Sequence, residues 1–252
     1  MGPRFEAQRV LVTGGARGIG AAACRAFHAE GAHVAVGGRR QSSVDEFLAH
    51  HGADRYIGVV GDVSTRQGCY DVVNRALDSL GGLDVLVNSA GTFADVAFES
   101  VDQAHFDSTI ATNLGGVFFC SQAALPALKR SRGNIVNLAS DAGLIAYAPA
   151  PTYGASKAGV VNLTRTLALE YAKSVRVNCV CPGNVETDML HDMAALADEP
   201  QAYMDDARER APVGRMAHVD EIAAAITYLA SDLAGFTSGV ALPIDGAGMT
   251  GY

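Results

Sequence analysis

The chain has 252 residues, of which 49% are hydrophobic and 18% are charged, and its formal net charge is −8 at pH 7. This length fits one large α/β domain or two small ones, and the apolar content is ample for a filled core. The acidic balance argues against nucleic acid and against an anionic membrane surface as partners, because both bind basic faces.

Nothing in the chain predicts export or insertion into a membrane. The first ten residues hold no apolar core of signal-peptide length, and no apolar run approaches the roughly 20 residues that span a bilayer. The five cysteines, an odd number, suggest no disulfide framework, and the C-x-C pair of Cys179 and Cys181 has no further ligands nearby that predict a zinc site. Reduced thiols in a cytoplasmic, metal-free protein are therefore expected.

Apolar runs of strand length alternate with helical patterns along the whole chain. In chain order, strands are predicted at 9–14, 33–38, 55–63, 83–91, 133–140, 175–183 and 239–245. Helices are predicted at 18–32, 43–52 with Ser42 or Ser43 as cap, 66–82, 102–129, 152–172 and 219–231. Strands that are apolar throughout indicate a parallel sheet covered on both faces. We expect a doubly wound, three-layer αβα sheet of the Rossmann type in a single domain, residues 1–252.

The segment from Asn184 to Met216 is the one irregular region. It is too long for an ordinary connection in this fold, and it follows the carboxyl end of a predicted strand. Such a segment is typical of a lid over the substrate. The alternative interpretation is a surface helix added to the fold.

The first strand runs into a glycine-rich turn, "TGGARGIG", that opens the first helix. Gly14, Gly18 and Gly20 permit positive φ and close backbone approach, so amide groups at the helix N-terminus can meet a pyrophosphate. The position between a strand and a helix makes this pattern far more specific than the glycines alone. Arg17 and Ile19 belong to the same predicted dinucleotide site.

The end of the second strand indicates which dinucleotide binds. An acid commonly stands there to bind a ribose 2′-hydroxyl, but this chain has Gly38 followed by Arg39 and Arg40. Arginine pairs with a 2′-phosphate, and Arg17 adds a cation, so NADP(H) is favoured. NAD(H) stays possible if Arg39 stacks on adenine. Asp62, followed by Val63, is placed to meet the adenine amine, or else caps the next helix.

Tyr153 and Lys157 stand one helical turn apart in "YGASK". A tyrosine with an ordinary pKa of about 10 is a poor base near neutrality. An ammonium one turn away favours the phenolate and is expected to lower that pKa, so that Tyr153 exchanges a proton with a substrate oxygen. The small residues between them let neighbouring groups approach the helix.

Six motifs occur in order: "TGGARGIG", "NSAG" at 88–91, Asn113 in "TNLGG", Ser140 in "NLAS", "YGASK" and "CPG" at 181–183. Together they resemble the short-chain dehydrogenase/reductase family over nearly the full chain. One departure is Ser89, where many members have a second asparagine. The resemblance implies a nicotinamide cofactor and interconversion of an alcohol and a carbonyl compound.

The resemblance also implies residue roles. Ser140 would bind the reacting oxygen, Asn113 would hold a water that connects Lys157 to a proton relay, and Lys157 would bind the nicotinamide ribose. The remaining cofactor contacts would come from Asn88, Ala90, Gly91, Pro182, Gly183, Val185 and Thr187. Thr187 is also a candidate N-cap for a helix that begins near Asp188.

By family position, the substrate walls would be Phe93, Ser140, Asp141, Leu144, Ile145, Tyr147, Tyr153, Asn184, Met189 and Met193. Most of these side chains are apolar or aromatic, so we expect a small, largely hydrophobic ketone or secondary alcohol. Asp141 disfavours an anionic substrate unless it points to solvent.

Two other functions stay open. The first is a 3-oxoacyl-[acyl-carrier-protein] reductase, because Lys129, Arg130 and Arg132 form a basic cluster that suits an acidic carrier protein. The second is a non-catalytic dinucleotide sensor, which would predict broken catalytic positions, whereas all four are intact. The family resemblance further implies a homotetramer with the helices of Asn113 and Tyr153 at its interfaces.

Overall fold

The computed structural model describes residues 2–250. Its strands are β1 (Arg9–Thr13), β2 (His33–Gly38), β3 (Tyr56–Val60), β4 (Val85–Asn88), β5 (Asn134–Leu138), β6 (Arg176–Pro182) and β7 (Ala241–Ile244). All are parallel to their neighbours, in the order β3-β2-β1-β4-β5-β6-β7. The predicted doubly wound sheet is confirmed.

The α-helices are α1 (Gly18–Ala29), α2 (Gln41–His51), α3 (Arg66–Leu80), α4 (Gln103–Ile110), α5 (Gly116–Ser131), α6 (Pro151–Glu170), α7 (Asp188–Leu196), α8 (Pro200–Glu209) and α9 (Val219–Ala230). A π-helical turn at Ala111–Gly115 joins α4 to α5. No helix within residues 2–250 is long and apolar enough to cross a bilayer.

Two apolar layers cover the sheet because successive strand residues point to opposite faces. Val10 and Val12 of β1 pack on one face with α1, α2 and α9, whereas Leu11 packs on the other with α3 and α5. The chain order reverses between β1 and β4, since the strands wind outward from this pair in both directions. A doubly wound sheet binds its ligand at that switch point, outside the carboxyl ends of the strands.

The predicted continuous helix at 102–129 is wrong in one respect, because the π-helical turn separates α4 from α5. Such turns are rare and occur mostly as single interruptions of α-helices, frequently at functional sites. Here the turn carries Asn113, whose side chain is fully buried. The amide makes three hydrogen bonds to other segments: its Nδ2 donates to Thr92 O and to Ser156 Oγ, and its Oδ1 accepts from Thr92 N.

Two further expectations need correction. Neither Ser42 nor Ser43 caps α2, because the helix already begins at Gln41 and its N-cap is Arg40.

The segment 184–216 is not irregular, since it contains α7 and α8. Thr187 caps α7 by accepting from Leu190 N, as the sequence suggested. A small apolar cluster holds α7 and α8 together: Ala194, Met204, Ala207 and Met216.

Candidate functional site

A cavity of about 730 Å³ runs along the carboxyl ends of the central strands. It brings together every predicted cofactor residue except Asn88. Those residues are Gly14, Arg17, Gly18, Ile19, Gly20, Gly38, Arg39, Arg40, Asp62, Val63, Ala90, Gly91, Tyr153, Lys157, Pro182, Gly183, Val185 and Thr187.

The glycine turn forms one end of this cavity with its backbone. Gly14 and Gly18 have φ of +65° and +52°, which side chains rarely adopt. A Cβ on Gly20 would lie 2.2 Å from the carbonyl oxygen of Gly14, so the turn closes only with glycine there. The N-cap of α1, Arg17, gives no side-chain cap to the first N–H groups. These amides are left to bind an anion.

Arg39 and Arg40 lie exposed beside the end of β2, at the wall of the cavity. Within residues 2–250, neither makes a salt bridge, and neither does Arg17. Asp62 also lines the cavity, but its Oδ1 already accepts from Ser64 N at 2.9 Å. The loop thus presents unpaired cations where the second strand ends.

Asn88 is not among the residues that line the cavity, and its side chain points away from it, so the expected contact with the cofactor is left to its backbone. Its side chain is buried and donates to Ser121 Oγ at 3.0 Å and to Asn137 Oδ1 at 2.9 Å. Asn137 in turn donates to Thr164 Oγ1 at 2.9 Å. These bonds join β4, β5, α5 and α6 beneath the site, so the Asn88 side chain supports the structure.

The three predicted catalytic residues that line the other end of the cavity come from two elements. Ser140 follows β5, where it caps a short 3₁₀ turn, and Tyr153 and Lys157 lie in the first turns of α6. Lys157 is only 4% exposed, and its Nζ donates to Leu138 O at 2.8 Å. The same Nζ lies 5.6 Å from the centroid of the Tyr153 ring.

Asn113, the fourth predicted catalytic residue, lies behind the cavity wall. A Cβ on Gly91 would lie 3.3 Å from Asn113 Oδ1 and 3.7 Å from Lys157 Nζ, so both polar groups face this glycine. A Cβ on Gly143 would lie 2.7 Å from the carbonyl carbon of Lys157. These two glycines lie outside α6, whereas within the helix a Cβ on Gly154 would lie 3.3 Å from Ala142 O, so this small residue allows the close approach that the sequence predicted.

The expected lowering of the Tyr153 pKa is wrong for the protein chain itself. Burial raises the pKa of Tyr153 to about 12. Burial also lowers the pKa of Lys157 to about 8, so the amine is mostly charged at pH 7 and loses its proton at mildly alkaline pH. Spacing along a helix predicts which groups are neighbours, but the loss of water around each group sets the direction of its pKa shift.

The substrate end is lined by eight of the ten predicted residues: Phe93, Ser140, Asp141, Tyr147, Tyr153, Asn184, Met189 and Met193. Leu144 and Ile145 do not line it. Leu144 instead packs on the apolar cluster that contains Val117 and Val160. The Ile145 N–H bonds to Asp141 O, which closes the turn.

Asp141 does not point freely to solvent. Burial raises the pKa of its carboxyl group, although Ser140 Oγ donates to Oδ1 at 2.8 Å and Ala142 N donates at 2.7 Å. The neighbouring Phe93 ring meets the Tyr153 ring edge to face, with centroids 4.8 Å apart.

Sequence reasoning missed several side chains here. Tyr203 of α8 lines the cavity and donates to Asp95 Oδ2 at 2.7 Å, which ties the 184–216 segment to the loop after β4. The Arg210 guanidinium lies 5.0 Å from the centroid of the Tyr147 ring. These partners are far apart in the sequence, and no local pattern connects them. Within residues 2–250, no cluster of His, Cys, Asp or Glu suits a metal ion, and Cys179 and Cys181 are buried free thiols.

The lowered pKa of Lys157 predicts a pH dependence of stability. An unfolded lysine keeps its proton up to about pH 10.5, whereas the folded one loses it near pH 8. Between these values the unfolded state binds more protons, so the free energy of unfolding rises with pH, by about 1–3 kcal/mol from pH 8 to 10. Urea unfolding of Lys157→Met at each pH should lack this increase.

Lys173→Met is the matched control, since Lys173 is exposed. The control should keep the rise with pH that the parent chain has. If the free energy of unfolding of Lys157→Met rose with pH by as much as that of the parent chain, the pH dependence could not come from Lys157.

The family model described as short chain dehydrogenase matches residues 8–197 of this chain. Meso-2,3-butanediol dehydrogenase from Serratia marcescens is 39% identical over 246 residues, which cover 96% of this chain and 95% of that protein. L-fucose dehydrogenase from Mus musculus is 36% identical, with 99% of this chain and 91% of that protein covered. The crystal structure of gox2181 superposes with a TM-score of 0.90 at 28% identity, and covers 98% of this chain and 97% of that one.

The fold, the glycine turn at its switch point and the likeness over almost the whole length agree with one another. The chain belongs to the short-chain dehydrogenase/reductase family and is an NAD(P)-dependent oxidoreductase that acts on CH–OH groups.

Proposed function

We propose that the protein interconverts a small, largely hydrophobic secondary alcohol and its ketone with NADP(H), and that Tyr153 is the general acid and base. The observation that carries the proposal is the meeting of Ser140, Tyr153 and Lys157 at one end of the cavity whose other end is the glycine turn. A dinucleotide that spans this cavity brings its reactive ring to these three side chains.

The residues present fit a dinucleotide. The turn keeps its shape only with glycine, because Gly18 has a φ of +52° and a Cβ on Gly20 would meet Gly14 O, and α1 begins there with no side-chain cap on its first amides. Gly91, Pro182, Gly183 and Val185 would flank the nicotinamide. When bound, the cofactor donates or accepts the hydride.

Tyr153 then moves the proton. With its pKa raised to about 12, the phenol is protonated at neutral pH and suited to give its proton to the oxygen of a ketone. Ser140 Oγ, which here donates its hydrogen to Asp141 Oδ1, would bind the same oxygen once its hydroxyl turns towards the substrate. In alcohol oxidation Tyr153 must first release its proton, for which Lys157 and a water held by Asn113 are the proposed route. Lys157 also binds the nicotinamide ribose.

The preference for NADP(H) rests on Arg39 and Arg40 at the end of β2 and on Arg17 within the glycine turn. Each is an unpaired cation at the cavity wall, whereas a carboxylate, which would repel a 2′-phosphate, does not stand at the end of β2. NAD(H) is the alternative cofactor.

Residues 184–216, which include α7 and α8, are the proposed substrate lid within a single domain of residues 1–252. The lid contributes Asn184, Met189 and Met193 to the cavity wall, and its Tyr203 bonds to Asp95 in the loop after β4. The two methionines, with Phe93 and Tyr147, favour a small hydrophobic substrate, although Asp188 and Asp192 of the lid also line the cavity.

A 3-oxoacyl-[acyl-carrier-protein] reductase is the less favoured alternative. The cluster of Lys129, Arg130 and Arg132 precedes β5, while Ser140 follows it, so the cluster lies at the edge of the sheet opposite the cavity. A carrier protein bound there would lie at the other end of β5 from Tyr153, which disfavours this alternative. Titration with an acidic carrier protein at low salt tests this alternative. If no binding is seen, the alternative is excluded. A non-catalytic dinucleotide sensor would show no turnover at all.

We further propose a cytoplasmic homotetramer. Its support is exposed apolar surface on the helices that flank the site: Phe106 of α4 is 45% exposed, Phe118 of α5 is 44% exposed, and Leu169 of α6 is 84% exposed. Side chains of this size on neighbouring helices favour burial between copies. Five buried free thiols agree with a reducing compartment.

Tyr153→Phe should reduce kcat by about 10²–10⁴-fold, the usual contribution of a positioned proton donor. The dissociation constant of the cofactor, measured by fluorescence titration, should change little because the ring stays in place. Tyr70→Phe, which removes a surface hydroxyl bonded to Gln122, is the control and should keep full turnover. Retained turnover in Tyr153→Phe would mean that another group supplies the proton.

Arg39→Asp should shift the ratio of kcat/KM for NADP(H) to that for NAD(H) towards NAD(H) by at least tenfold, because a charged pair is replaced by repulsion. Arg130→Asp changes net charge equally at the opposite edge and should leave the ratio unchanged. The phosphate-pairing role fails if the Arg39→Asp ratio equals that of the parent.

Light scattering on the purified chain should give four times the mass of one subunit. Phe118→Glu, which places a charge on the exposed face of α5, should lower that mass because the interface would bury it. A monomer in the parent protein would refute the tetramer.

A further inference from the structure

One hydrogen bond connects the two helices of the lid to the rest of the molecule. Tyr203 Oη of α8 donates to Asp95 Oδ2 at 2.7 Å, and both side chains are partly buried. Among residues 2–250, no other hydrogen bond or salt bridge joins α7 or α8 to a residue outside 184–216. The bond between Tyr203 and Asp95, which we call the lid tether, therefore holds two helices that otherwise pack chiefly on each other.

The lid tether is separate from the packing that folds the lid. The ring of Tyr203, like the side chain of Leu190, packs on the apolar cluster that holds α7 and α8 together. The hydroxyl of the same residue makes the bond to Asp95 in the loop after β4. Loss of this one hydroxyl would thus break the tether and leave the ring and the two helices packed.

The base of the lid is fixed in a different way, by backbone pairing. Glu186 N donates to Ala217 O at 2.9 Å, and Ala217 N donates to Asn184 O at 3.0 Å. Asn184 Nδ2 also donates to Ala207 O at 3.0 Å, which binds α8 to the same base. A unit that is paired at its base and bonded by one side chain elsewhere can rotate about that base once the single bond breaks.

One further contact lies just past the end of α8. The Arg210 guanidinium lies 5.0 Å from the centroid of the Tyr147 ring, while its Nε donates to Asp206 of the lid itself. A cation is attracted to a ring anywhere within about 6 Å of the centroid, whereas a hydrogen bond is lost when it lengthens by about 1 Å. The tether is therefore the contact that breaks first when the lid begins to move.

The lid extends over the cavity from one end to the other. At its start, Thr187 lies against the glycine turn, since a Cβ on Gly18 would lie 3.6 Å from Thr187 Cγ2. At the substrate end, Tyr203 lines the cavity, and the loop that holds Asp95 contributes Phe93 to the same wall. A cofactor that reaches from the glycine turn to the catalytic residues would pass beneath the lid.

We propose that the hydrogen bond from Tyr203 to Asp95 is a kinetic gate, and that it must break each time the cofactor enters or leaves. Donor and acceptor satisfy each other, so the bond needs no ligand in order to form. A contact that is made equally with the cavity empty or filled changes the rates of binding and release but not the affinity. Both are positioning residues, and the inference rests on the proposed function because it takes 184–216 as the lid.

The test is Tyr203→Phe, with NADPH and NADH as probes. Their binding to the full chain, and their displacement by excess oxidised cofactor, are followed by stopped-flow fluorescence. The association and dissociation rate constants should both rise by about three- to thirtyfold, as loss of one partly exposed hydrogen bond to a charged acceptor allows. Their ratio, Kd, should stay nearly the same. A merely structural role would weaken binding instead.

Three further variants isolate the bond. Asp95→Ala should reproduce the rates of Tyr203→Phe, and the double variant should be no faster than either single one, because the two groups act as a pair. Asp95→Asn keeps an oxygen acceptor and should keep rates close to those of the parent. Tyr70→Phe removes a hydroxyl that bonds to Gln122 on the surface and should change neither rate constant.

Hydrogen exchange followed by mass spectrometry tests the tether without any nucleotide. In Tyr203→Phe, amides of α7 and α8 should exchange faster than in the parent chain, while those of α1 and α3 should keep their rates. Unchanged exchange in α7 and α8 would overturn the proposal.

Unchanged rate constants in Tyr203→Phe, or a rise in dissociation alone with a matching rise in Kd, would also overturn the gate. The proposed function fails on a different result, the absence of ketone reduction by the parent chain with either cofactor. Binding rates and amide exchange need no turnover, so they decide the role of the tether in either case.

Discussion

The burial of one amine constrains this site more than any other interaction. Lys157 is 4% exposed, and within residues 2–250 its Nζ donates to one acceptor, the carbonyl oxygen of Leu138. Removing an amine from water is costly, so the end of β5, the turn at 141–143 and the start of α6 must hold it together. Gly143 permits their contact, since any Cβ there would meet the backbone of Lys157.

A network of buried polar side chains lies beneath Lys157 and supports its position. The amides of Asn88 and Asn137 and the hydroxyls of Ser121 and Thr164 connect the two central strands to the helices that cover them. Buried hydrogen bonds of this kind specify one arrangement, because each broken bond leaves a polar group without water. These hydrogen bonds therefore fix β4, β5, α5 and α6 relative to one another beneath the catalytic residues.

The sheet, the glycine turn and most of the cavity wall could be predicted because their signals are local. Apolar strand runs, glycines between a strand and a helix, and a tyrosine one turn before a lysine are each legible within a few residues. What failed depends on contacts between distant segments. Leu144 comes two residues after Ala142, which lines the cavity, but its side chain packs on the cluster that contains Val117 and Val160. The pKa of Tyr153 depends on how much water the whole fold excludes, which spacing along one helix does not contain.

The π-helical turn at Ala111–Gly115 makes the site sensitive to residue count rather than to residue type. Each α-helical residue advances the chain by about 100° around the axis. Deleting one residue before Asn113 while a regular helix is restored would rotate that amide away from Thr92 and Ser156, although every side chain of the motif would be retained. A related chain could keep all six motifs but have one residue fewer before Asn113. Its sequence would align well, yet it would lack the buried amide. The number of residues between motifs therefore matters in addition to the residues within them.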